Sequence, residues 1–126
     1  MSVKYVIVEK HNPQDMQAPK KYYAVARSAG EVTLKQLSKD ISARSTVNSS
    51  DTLAVLDSLI QQLVKELEAG RIVRMGDFGS FQLSISSEGA PAADKFTSSL
   101  IKKSRIVFRP GSDLKDMLAT VNYSKG

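Results

Sequence analysis

The chain has no cysteine, no tryptophan and a single histidine in 126 residues. Without cysteine there are no disulfides and no thiolate metal sites, and nothing points to export. The histidine, His11, sits in a polar stretch before Asn12-Pro13. No second histidine or patterned carboxylate accompanies it, which argues against a zinc site or a general acid–base pair. Long apolar runs are missing too. The opening MSVKYVIVEK is too short and too charged for a signal peptide or a membrane span. Glycine-rich phosphate loops are also lacking. Gly76-x-x-Gly79 is too short for a dinucleotide loop and precedes a strand, and Gly89 to Ala93 has no Lys-Ser/Thr after it. The expectation is a cytoplasmic protein that is not an enzyme, with no cofactor, metal, small-molecule substrate or membrane partner.

What is present is positive charge. The net charge is +5, unevenly placed. Residues 1–29 carry five Lys/Arg against two acids (+3), residues 30–70 four against six (−2), and residues 71–126 nine against five (+4). A basic C-terminal half suits a polyanion partner, against the plainer reading of ordinary surface charge. Apolar residues make up 41%, enough for a modest core. A single chain of this size buries little surface per residue, so a dimer would help.

The pattern along the chain is α+β. Val3 to Glu9 and Lys21 to Arg27 are rich in β-branched and aromatic residues and predict two strands, joined by a loop holding Asn12-Pro13 and Pro19. Thr33 with Gln36 has capping-box spacing and opens a helix with Leu34, Leu37 and Ile41 on one stripe. Asn48 or Ser49 caps a second helix that runs to about Glu68 and ends at Gly70. Its Leu53, Leu56, Leu59, Ile60, Leu63, Val64 and Leu67 form two adjoining stripes, more than one small neighbour helix needs, which implies a second subunit. Arg71 to Met75 is a short strand and Gly76 to Gly79 a tight turn. Ser80 to Ile85 alternates as a half-buried strand, and Ser86 to Ser99 reads as a loop or arm. Lys102 to Arg109 is the return strand, Ser112 caps a final helix to Val121, and Asn122 to Gly126 is expected to fray. Phe78, Phe81 and Phe108 are expected in the core rather than as stacking platforms.

Two segments carry a family resemblance. GDFGSF (Gly76 to Phe81) resembles the Gly-Phe-Gly-Asn-Phe turn of the bacterial HU and integration host factor proteins, and RPGSDLKDML (Arg109 to Leu118) resembles their Lys-Pro-Gly-Lys-Ala-Leu-Lys-Asp segment. The helix order and the spacing between the motifs match as well, from Thr33 to about Thr120. The resemblance implies the DNA-binding fold of integration host factor: two N-terminal helices, an antiparallel sheet with a protruding β-arm and a short C-terminal helix. Here that body would occupy residues 33–126, with the arm at about 84–104, after an N-terminal β-hairpin extension at 1–32, as in a longer HU-related branch.

It also implies a function. Family members are intertwined dimers whose sheets form a saddle on double-stranded DNA and whose arms wedge apolar tips, usually proline, into the minor groove. The expectation is an architectural homodimer in the nucleoid that binds, bends and compacts DNA with little sequence preference, through Lys and Arg contacts to phosphates. Candidate contacts are Lys95, Lys102, Lys103, Arg105 and Arg109 on the return side of the arm, and Arg74 before the turn. Gly111 and Ser112 are candidates at a helix start, where free amides attract phosphate, and Lys115 lies in the same helix. Pro91 is the candidate wedge. The outgoing strand departs from the family: Gln82 to Ala93 has no basic residue and contains Glu88. The alternative is an HU-like structural or protein-interaction module with weak or no DNA binding, using the N-terminal hairpin as a strand edge. Tyr22 and Tyr23 beside Lys20 and Lys21 could stack on nucleic acid, though an edge strand is the simpler account.

Overall fold

The computed structural model describes residues 1–126 and has three α-helices and two three-stranded sheets. In chain order the elements are β1 (Val3–Lys10), β2 (Lys21–Arg27), α1 (Leu34–Ala43), α2 (Ser49–Glu68), β3 (Val73–Arg74), β4 (Gly79–Ser87), β5 (Ile101–Pro110), α3 (Ser112–Thr120) and β6 (Tyr123–Lys125). Packing divides them into two units: residues 1–33 with 117–126, and residues 34–116.

The first unit is a sheet of order β2-β1-β6. β1 and β2 pair antiparallel from Lys4↔Arg27 to Lys10↔Lys21. Their connection is shaped by side-chain turns: Asn12 Oδ1 accepts from the Gln14 amide, and Asp15 Oδ1 from the Gln17 amide, each at 3.0 Å. The C-terminal tail corrects one expectation. It does not fray but adds a third strand, parallel to β1. The Val3 amide donates to the Asn122 carbonyl at 2.8 Å and the Gly126 amide to the Tyr5 carbonyl at 2.9 Å. The tail therefore belongs to the same unit as the hairpin.

In the second unit, α1 packs against α2. Asn48 is the cap of α2, its Oδ1 accepting the Asp51 amide at 2.9 Å. The other end closes as a Schellman turn: the Gly70 amide donates to the Leu67 carbonyl and the Arg71 amide to the Glu66 carbonyl, with Gly70 at φ +81°. β3, β4 and β5 then form an antiparallel sheet in sequence order.

The two motifs clamp one another. The Gly111 amide donates to the Phe78 carbonyl at 2.9 Å, and the Met75 amide to the Gly79 carbonyl at 2.8 Å. A Cβ on Gly79 would collide with the Arg109 carbonyl oxygen, and one on Gly111 with the Asp77 carbonyl oxygen. Gly79 also lies at φ +141°, outside the range of ordinary side chains. Strain and overlap together should make Gly79→Ala cost about 2–4 kcal/mol. Thermal unfolding followed by circular dichroism should show Tm lower by roughly 10 °C. Gly89→Ala, with open space around it, should shift Tm little. An unchanged Tm for Gly79→Ala would mean that the turn is not clamped.

Leu67, 7% exposed, is the one hydrophobic side chain that counts as buried. The three phenylalanines do pack together, with ring centroids 4.8–6.4 Å apart. Within one chain Phe78 and Phe108 remain 45% and 37% exposed and Phe81 is half-buried, so a single chain covers the cluster only in part.

Candidate nucleic-acid interface

Directly opposed residues in a sheet point to the same side, so the register of β3-β4-β5 sorts its side chains into two faces. One face carries the pairs Val73↔Phe81, Phe81↔Phe108, Leu83↔Ile106 and Ile85↔Ser104. It is apolar, and α2 supplies the matching wall. Ile60, Leu63, Val64 and Leu67 line a cleft of about 540 Å³ with Phe81, Leu83 and Ile106. The cleft is not filled: Ile106 is 53% exposed and Val64 59%.

The other face carries Arg74↔Ser80, Ser80↔Arg109, Gln82↔Val107, Ser84↔Arg105 and Ser86↔Lys103. These nine positions hold four cations, four neutral hydrogen-bonding side chains and no acid. All four cations are exposed. Arg74, Arg109 and Ser80 line a recess of about 310 Å³ with Gly76, Gly79, Pro110 and Gly111. Arg71, two residues before β3, takes no part in this row. Its Nη1 bonds Glu66 Oε2 at 2.7 Å, and that hydrogen bond is the main reason the Glu66 carboxyl lies below its ordinary range.

A family model, described as an HU domain fused to a winged helix-turn-helix, Ig or glycine-rich motif (HU-HIG), matches residues 1–125. The chain belongs to the HU-HIG family. The matched span includes the N-terminal hairpin and the C-terminal tail as well as the motif-bearing body. No curated protein matches the chain in sequence. Among solved structures it is similar to a candidate bacterial DNA binding protein from Bacteroides vulgatus ATCC 8482, with a TM-score of 0.68 at 9% identity. The match covers 98% of this chain and 47% of that one, so the chain spans about half the length of the solved relative.

Within the HU-HIG chain, the sequence-predicted contacts fall into two groups. Lys103, Arg105, Arg109 and Arg74 share the basic face. The others do not join it. Lys102 sits beside the register shift at the Ser86/Ser87 end of the ladder, and its Nζ donates to the Ser99 carbonyl at 3.1 Å. Lys95 ends a 3₁₀ turn (Ala93–Lys95) in the connection between β4 and β5. Pro91 is exposed in the same connection. Lys115 is exposed on α3. The helix-start site is smaller than expected. The Gly111 amide is already given to Phe78, and the Gly111 carbonyl accepts the Lys115 amide at 3.0 Å, so Gly111 rather than Ser112 is the cap. No group of three or more His, Cys, Asp or Glu is placed to hold a metal ion, and no helix is long and apolar enough to cross a membrane. The neutral donors Ser80, Gln82, Ser84 and Ser86 complete the face, and their period-two spacing is the sequence signal that marks them.

Proposed function

We propose that the chain is an architectural DNA-binding protein that acts as a homodimer in the nucleoid. It binds and bends double-stranded DNA with little sequence preference. The observation that carries this reading is the division of the β3-β4-β5 sheet into an apolar face and an acid-free basic face. Phosphates meet Lys103, Arg105, Arg109 and Arg74, while the hydroxyls and amide of β4 donate neutral hydrogen bonds to the same backbone. The name of the solved relative, a DNA binding protein, agrees with this assignment. The apolar face and the exposed stripe of α2 are covered by a second copy. In this reading residues 33–126, apart from the tail strand that joins the hairpin sheet, form the HU-like DNA-binding domain in the arrangement of integration host factor, and residues 1–32 are its extension.

The grip of the arm is reduced. Between Ser87 and Ile101 the connection holds Lys95 against Glu88 and Asp94, so it offers phosphates no net positive charge. Pro91, among Ala90, Ala92 and Ala93, is the one proline there to serve as a wedge. Bending therefore leans on the sheet and is shallower than full wrapping by two basic arms.

Ligase-catalysed ring closure tests the bend. A duplex of about 120 bp is shorter than the persistence length of about 150 bp and closes poorly alone. The protein should raise monomeric circle yield several-fold at about 50 mM salt, and Pro91→Ser should reduce the gain by less than half. Binding without any gain in circles would remove bending from the function.

A further inference from the structure

The β2-β1-β6 sheet also has two different faces. On one lie Lys4↔Arg27, Val6↔Val25, Val8↔Tyr23 and Lys10↔Lys21. Two pairs of cations thus stand at the ends of an apolar strip formed by Val6, Val25, Val8 and Tyr23. Six residue steps along the strand separate the pairs, about 20 Å at the usual rise. None of the eight side chains is acidic. Glu9 points to the opposite face, where Lys20 meets it at 3.5 Å, so it does not neutralise Lys10 or Lys21.

Like charges placed directly opposite each other destabilise a sheet, and this one holds two such pairs. A bound polyanion turns that cost into attraction. The strip between the charges selects the kind of polyanion. Tyr23 is 47% exposed, and Lys10 Nζ stands 5.6 Å from its ring centroid. Lys10, Lys21 and Tyr23 line an open recess of about 590 Å³ with His11, Asn12, Ala18 and Pro19. A duplex would lay phosphates and groove edges over the valines, which offer no donors. An unpaired strand presents flat base faces that suit an apolar strip and an aromatic ring, and its phosphates reach the cations at both ends.

We propose that this face is a second nucleic-acid site, distinct from the basic face of β3-β4-β5, and that it binds single-stranded DNA. Phosphates bind at Lys4 with Arg27 and at Lys10 with Lys21. Bases lie over Val6 and Val25 and stack on Tyr23. The site does not depend on the duplex-binding reading, because it uses none of the same residues.

The test uses the full chain and a fluorescein-labelled 12-nucleotide oligothymidine, followed by anisotropy at about 50 mM salt. Lys10→Ala/Lys21→Ala should weaken binding at least tenfold and lower the slope of log K against log salt from about −2.8 to about −1.4. Tyr23→Ala should weaken it about tenfold and Tyr23→Phe should restore it, because stacking needs the ring and not the hydroxyl. Random duplex affinity should stay within twofold for each variant, with unfolding curves confirming the fold. No binding of the oligothymidine by the natural chain would overturn the proposal, as would binding indifferent to these substitutions. Equal loss of duplex affinity would overturn it in favour of an extended duplex surface. Equally effective competition by polyglutamate at matched charge would overturn it in favour of an acidic protein partner.

Discussion

Replacing Lys103, Arg105 and Arg109 together by alanine is expected to lower affinity for random duplex DNA at least 100-fold at about 0.1 M salt. The three side chains stand at alternate positions of β5 on the acid-free face. Each cation that neutralises a phosphate releases counterions and contributes about 0.9 to the slope of log K against log salt. Three per chain become six in a dimer, so the slope should flatten by about five and the loss should be similar on all sequences. The residues are exposed and no hydrogen bond of the fold depends on their charged ends, so Tm should hardly move. Lys95→Ala and Lys115→Ala are the comparison. They lie off the face and should each change affinity less than fivefold. A triple variant that binds like the natural chain would move the footprint elsewhere.

Ile106→Asp should break the dimer. Ile106 pairs with Leu83 on the apolar face and is 53% exposed in the single chain. If that face were solvated, an aspartate there would be tolerated. If a second copy covers it, two unpaired carboxylates enter a dry interface. Each should cost about 2 kcal/mol or more, which together is roughly a thousandfold in dimer affinity. Sedimentation or light scattering at micromolar concentration should show the natural chain as a dimer and the variant as a monomer with lowered Tm. Its duplex affinity should fall too, since only half the cations then act together. A variant that remains dimeric would place the interface on another surface.

Local chemistry was legible in the sequence and long-range closure was not. The β-branched and aromatic content of Val3 to Glu9 and of Lys21 to Arg27 marked both strands of the hairpin, and the observed bounds, Val3–Lys10 and Lys21–Arg27, nearly coincide with it. Asn48 and Gly70 marked the ends of α2 because capping depends on residues within one turn. β6 was missed because three residues carry no periodicity, and their partner, Val3 to Tyr5, lies at the other end of the chain. Gly111 looked like a free helix start. Its amide is taken by Phe78, more than thirty positions away, through a turn whose shape two glycines set. The side of the sheet that each cation occupies followed from counting along β5. That Arg74 joins them depends on the pairing of β3 with β4, which no count along a single strand reveals.

The arm shows the same limit. The sequence placed it at about 84–104, but the ladder continues to Ser87 and resumes at Ile101, where the Glu88 amide meets the Leu100 carbonyl at 2.8 Å. The register shift at Ser86/Ser87 and the two 3₁₀ turns, Ala93–Lys95 and Ser98–Leu100, carry no hydrophobic period that would mark them in the sequence.

The most direct test of the basic face as a duplex-binding surface is a salt titration of the natural chain on random duplex DNA by gel shift. The account predicts retarded bands at about 50 mM salt and micromolar protein, with log K falling linearly in log salt at a slope near −0.9 for each phosphate held, up to about −7 for the eight face cations of a dimer. No shift under those conditions, or a slope near zero, would contradict it.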